Sequence, residues 1–98
     1  MAETNIKTGA ADVASVNGHD ISIDREAATS WDAFRLLRIL NDGDAESIAK
    51  MEAAISYAAL VSGLTEDGIV DIAGGGSVQV ADVVAVVAAI IEAASPKN

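Results

Sequence analysis

The sequence predicts a mainly α fold: a short N-terminal β-hairpin followed by a bundle of about four helices. Three observations carry this. Asn17-Gly18 is a turn signal flanked by alternating apolar residues. Aliphatic residues recur at helical spacing from Trp31 onward, in segments punctuated by Gly63, Gly74-Gly75-Gly76 and Pro96. The C-terminal run Val78 to Ala94 places Val80, Val83, Val84, Val87, Ile90 and Ile91 at i, i+3, i+4, i+7, i+10 and i+11, the stripe a helix lays along one face.

Taken in order, residues 1–11 carry no periodicity and read as a flexible arm. Residues 12–95 form one helical domain led by the hairpin, and residues 96–98 a short tail. At Asn17-Gly18 both positions of a type I′ turn need φ > 0, which pairs Val16 with His19 and Ala14 with Ile21. Ala14, Val16, His19, Ile21 and Ile23 then share a face. A two-stranded ribbon is marginal alone and must lie on helices or on another chain.

A helix is expected near Ser30 to Asn41, capped by Ser30 with Asp32 in its first turn; a start at Asp24 would add Arg25 to Thr29. Its buried stripe is Ala33, Phe34, Leu36, Leu37 and Leu40, with Trp31 and Ile39 on the side of Arg35 and Arg38. After the turn Asn41 to Asp44, a second helix runs from about Ala45 to Ser62 with Asp44 as cap. Its expected inner face is Ile48, Met51, Ile55, Ala58 and Ala59, widened by Tyr57, Leu60 and Val61. Gly63 stops it. Thr65 caps a short third helix ending before Gly74, and the glycine triplet is a joint. The aliphatic run is the fourth helix, stopped by Pro96. Its β-branched residues lower helix propensity by a few tenths of a kcal/mol each, so burial of its stripe must hold it.

Composition narrows the function classes. Hydrophobic residues make up 51% and aromatics 3% of the 98 residues, so the core is aliphatic and thin. A core shared with a partner, or with copies of the chain as a homo-oligomer, is the natural remedy. The net charge is −9, and six scattered Lys and Arg residues make no footprint for nucleic acid or an anionic membrane. No cysteine is present, so disulfides and thiolate metal sites are excluded. The N-terminal residues lack a signal-peptide core, and Val83 to Ile91 is about half the roughly 20 residues of a membrane span. A soluble cytoplasmic protein is expected.

The inventory for chemistry is poor. His19 is the only histidine and reads as a cross-strand filler. Asp42, Asp44 and Glu46 fail the calcium-loop pattern, because Ser47 stands where it needs Gly and Ala53 where it needs Glu. Gly74-Gly75-Gly76-Ser77 lacks the Lys of a phosphate-cradling loop. No enzyme, cofactor or metal is expected. Trp31 is different: beside Arg35 and Arg38 it either covers the hairpin with Arg35 stacked on its ring, or faces a partner.

The order Val16-Asn17-Gly18, Ile21-Ser22-Ile23-Asp24, then Ser30-Trp31-Asp32-Ala33-Phe34 with Leu36-Leu37 resembles the start of tail assembly chaperones of long-tailed bacteriophages and prophages. Leu60-Val61-Ser62-Gly63-Leu64, Val78-Gln79-Val80-Ala81-Asp82-Val83, Ile90-Ile91-Glu92-Ala93-Ala94 and Pro96-Lys97-Asn98 extend the likeness over about residues 13–98. The resemblance implies a non-enzymatic protein that keeps the long helical tape measure protein soluble and helps recruit tail tube protein subunits around it. It also implies that this chain is the short form where a frameshift appends a second domain. The contacts expected for that role are Trp31, Phe34 and Arg38 on the first helix, with Val83, Val87, Ile90 and Ile91 on the last. Two other readings stand beside it. One is a head–tail connector or minor tail protein, recognised by its presence in finished particles. The other is a small acidic regulatory or antitoxin-like module, recognised by salt-sensitive binding to a basic partner.

Overall fold

The computed structural model describes residues 13–94. The expected arm at residues 1–11, the stop at Pro96 and the tail at 96–98 lie outside them. Within them the chain is mainly helical behind an N-terminal hairpin: β1 (Val13–Val16), β2 (His19–Ser22), α1 (Arg25–Ala28), α2 (Trp31–Leu40), α3 (Ser47–Ser62), α4 (Glu66–Ala73) and α5 (Val80–Ala94).

The hairpin has the expected register, Val16 opposite His19 and Ala14 opposite Ile21. Asn17 and Gly18 take φ of 51° and 81°, the left-handed pair that a two-residue turn between right-twisted strands requires. Ala14, Ile21 and Ile23 are buried and Val16 packs beside them, while His19 stays exposed. The ribbon rests on helices rather than on another strand: β1 lies along α5. Its tip is tied down by the Asn17 side-chain amide, which donates to the Ile72 carbonyl of α4 at 3.0 Å. Its exit is tied by the Asp24 backbone N–H, which donates to the Val61 carbonyl of α3 at 2.7 Å.

Both candidate starts of the first helix are used. Asp24 caps α1, its Oδ1 accepting from the Glu26 and Ala27 N–H groups, and the chain restarts at Ser30 as α2. Ser30 Oγ accepts from Ala33 N–H at 3.2 Å and donates to the Ala27 carbonyl at 2.7 Å, so one hydroxyl serves both helix ends. Ser30→Ala therefore costs about 1–2 kcal/mol, read as a lowered urea midpoint.

The second helix begins later than the sequence suggested. Asp44 is not its cap: the Asp42 carboxylate accepts from Asp44 N–H at 2.9 Å and the Asp42 carbonyl from Ala45 N–H, holding residues 42–45 in a turn. Helix α3 starts at Ser47, and Glu46 stands at the cap position without a side-chain bond. Gly63 ends it with φ of 73°. Thr65 caps α4 as expected, its Oγ1 accepting from Gly68 N–H at 3.0 Å. The glycine joint then takes three successive positive φ values, 138°, 67° and 55°. The φ of 138° at Gly74 favours glycine there, and a Cβ would sit tightly, 3.2 Å from Val78 Cγ1.

Helix α3 is the central element. Helices α2 and α5 pack on it, and α4 bridges α3 and α5. One buried cluster joins Ala14, Ile21 and Ile23 of the hairpin region to Ala33, Tyr57, Ala58, Val61, Ile69, Val86, Val87, Ile90 and Ala94. Two predicted helix faces hold only in part. On α3 the buried residues are Ala53, Tyr57, Ala58 and Val61, not Ile48 and Met51, which are exposed. On α5 they are Val86, Val87, Ile90 and Ala94, with Val80 and Val84 outside. Both helices are apolar nearly all round, so residue spacing alone does not phase them. The neighbours do.

Tyr57 is 4% exposed. Burial pushes its hydroxyl above the ordinary 10.0, against the opposing pull of the Arg25 charge. The neutral form is thus favoured by the fold. Its contribution to stability is complete below the unfolded value of about 10 and is lost as pH rises through the higher folded one. Urea midpoints measured upward from about pH 9 should fall for the natural chain, and fall less steeply for Tyr57→Phe.

Candidate protein-docking surface

The two sides of α2 follow from its own amphipathic pattern. Ala33 is buried completely, and Leu36, Leu37 and Leu40 sit half-buried around it. Phe34, expected in that buried stripe, instead lies with Trp31 and Arg38, at i, i+3 and i+7, on the outer side. Trp31 is 68% exposed and Phe34 is 49% exposed. Their rings touch at a centroid distance of 5.2 Å with planes tilted by 31°. The Arg38 guanidinium lies 5.7 Å from the Phe34 centroid. Arg35 is not stacked on Trp31 as one sequence reading had it; its Nη1 reaches Asp32 Oδ1 at 3.8 Å, with both side chains largely in solvent.

The ridge borders a groove. An open depression of about 320 Å³ is lined by Asp32, Arg35, Leu36, Arg38 and Ile39. A second, of about 280 Å³, shares Leu36 and Ile39 and continues onto Ala49 and Ala53 of α3. Aromatic rings, guanidinium groups and an aliphatic floor thus occupy one side of a helix. That combination of side chains is the one enriched where proteins bind proteins.

The seven expected contact residues are not brought together. Trp31, Phe34 and Arg38 form the surface just described. Val83 and Ile91 are half-buried on α5, and Val87 and Ile90 are 4% and 0% exposed. The last two are corrected from contact residues to core residues: α5 turns them toward α3, α4 and β1, because the thin aliphatic core needs them itself. Sequence reasoning missed Ile48 at 71% exposure and Val80 at 63%. For Ile48 a signal existed, since Glu46, Lys50 and Glu52 surround it and mark a solvent-facing start of α3.

Among the described residues no three of His, Cys, Asp and Glu gather as metal ligands, and no helix is long and apolar enough to cross a membrane. Comparison with known proteins adds no relative: no family model, no curated protein and no solved structure matches the chain.

Proposed function

We propose that the protein is a tail assembly chaperone of a long-tailed bacteriophage or prophage, acting in the bacterial cytoplasm. It holds the tape measure protein soluble by covering apolar helical segments, and helps recruit tail tube subunits to it. The observation that carries this reading is the exposed Trp31–Phe34 pair beside Arg38, whose side chain also lines the open depression on α2. The sequence resemblance over about residues 13–98 supplies the identity of the partner; the surface supplies a means. Burial of exposed rings against an aliphatic helix needs no bond chemistry and releases water from both partners. With Val87 and Ile90 committed to the core, the docking task falls on α2.

Co-expression with the tape measure protein tests this. The natural chain should keep that protein in the soluble fraction and co-purify with it. Trp31→Ser/Phe34→Ser should retain its far-UV circular dichroism and lose no more than about 3 kcal/mol of stability, since Trp31 is mostly exposed and Phe34 half-buried. It should bind at least about tenfold more weakly and let the partner precipitate. A folded double variant that solubilises the tape measure protein as well as the natural chain would overturn the proposal.

A further inference from the structure

Resting on the docking role proposed for α2, the charges around its rings specify what kind of helix fits. The chain carries 15 acidic residues against 6 basic ones. Of the cations among the described residues, Arg25 is engaged with the Ala94 carbonyl, Lys50 lies on α3, and Arg35 and Arg38 both flank the exposed rings. Asp32 lies 3.8 Å from Arg35 with both side chains more than half exposed, a weak pair that leaves Arg35 able to exchange partners, and the three charges lining the depression sum to one positive. Exposed aliphatic residues on α3 and α5 have more acidic than basic neighbours in sequence, Lys50 near Ile48 being the one cation. Asp82 lies between Val80 and Val84 in sequence, and Glu46 and Glu52 flank Ile48.

We infer that the α2 surface takes a foreign amphipathic helix whose apolar stripe is bordered by Asp or Glu. An aliphatic side chain of that helix enters the Leu36–Ile39 depression, and neighbouring carboxylates meet Arg35 and Arg38. The planar guanidinium fork suits a carboxylate better than any other side chain. A second copy of this chain is a poor occupant. Docked through the same face about a two-fold axis, it brings together two patches that each carry Arg35 and Arg38, on two chains of net charge −9. The overall negative charge would draw a basic helix from a distance. Screening over about 8 Å at physiological salt leaves the contact itself to the local arginines.

Trp31 is the chain's one tryptophan, so its emission reports the site directly. The probes are two synthetic, tryptophan-free helical peptides with the same leucine and alanine stripe, one bordered by Glu and the other by Lys, titrated into the full chain at physiological salt. The Glu peptide should shift Trp31 emission to the blue, saturably, and bind at least about tenfold more tightly than the Lys peptide. Arg35→Glu/Arg38→Glu, checked for unchanged circular dichroism, should invert that order. Equal affinities, or a preference of the natural chain for the Lys peptide, overturn the inference about charge while apolar docking stands. No shift with either peptide overturns both.

Discussion

Val87→Asp unfolds the protein. The side chain is 4% exposed on α5, inside the one cluster that joins the hairpin to the helices. A carboxylate there either stays charged in an apolar setting or takes up a proton, and either state costs about 4 kcal/mol or more. A chain of 98 residues has about 5–15 kcal/mol in all. The variant should lose most of its helical circular dichroism signal at 37 °C, or melt at a urea concentration far below the natural midpoint. Val84→Asp is the control. Val84 lies on the same helix, but at 41% exposure its carboxylate stays in water, and stability should change by less than about 1 kcal/mol. Equal damage from the two would mean that the buried face of α5 is assigned wrongly.

Ile69→Ala should cost about 2–5 kcal/mol, with the loss centred on α4. Ile69 is fully buried and is the one buried residue of that eight-residue helix. Two turns of helix do not persist in water by themselves, so α4 depends on this anchor. Truncation leaves a cavity among Ile69's neighbours and loosens the Ile72 carbonyl that holds the Asn17 amide. Amide hydrogen exchange is the appropriate measurement. Protection of Val70 to Ala73 should fall more than that of Tyr57 to Val61 in α3. A uniform loss across both helices would show that α4 is no separate unit of opening.

The elements governed by local chemistry were legible from the residues. Asn17-Gly18 set the hairpin register, Asp24, Ser30 and Thr65 set helix starts, and Gly63 set a stop, because each acts through its own backbone or a bond to a near neighbour. The inner faces of α3 and α5 were legible only in part. Spacing placed Tyr57, Ala58, Val61, Val87 and Ile90 inside correctly, but also Ile48, Met51, Val80 and Val84, which are exposed, and it missed Ala53 and Val86. Alanines at a helix contact let two backbones approach, and that preference concerns the neighbour, which spacing within one helix does not report. The candidate site divided along the same line. Trp31, Phe34 and Arg38 lie on a helix whose charged residues mark its outer side; Val87 and Ile90 lie on one that is apolar nearly all round.

The contact between β1 and α5 has a bearing on biosynthesis. The ribosome delivers the hairpin first, and the floor it rests on last. Until Val80–Ala94 emerges, the nascent ribbon lacks the helix that β1 lies along and has only its ties to α3 and α4, at the Val61 and Ile72 carbonyls. Arg25 and Ala94, 69 positions apart and joined by a hydrogen bond, close the same circuit. The packing of the first strand is thus completed only when residues 80–94 are in place.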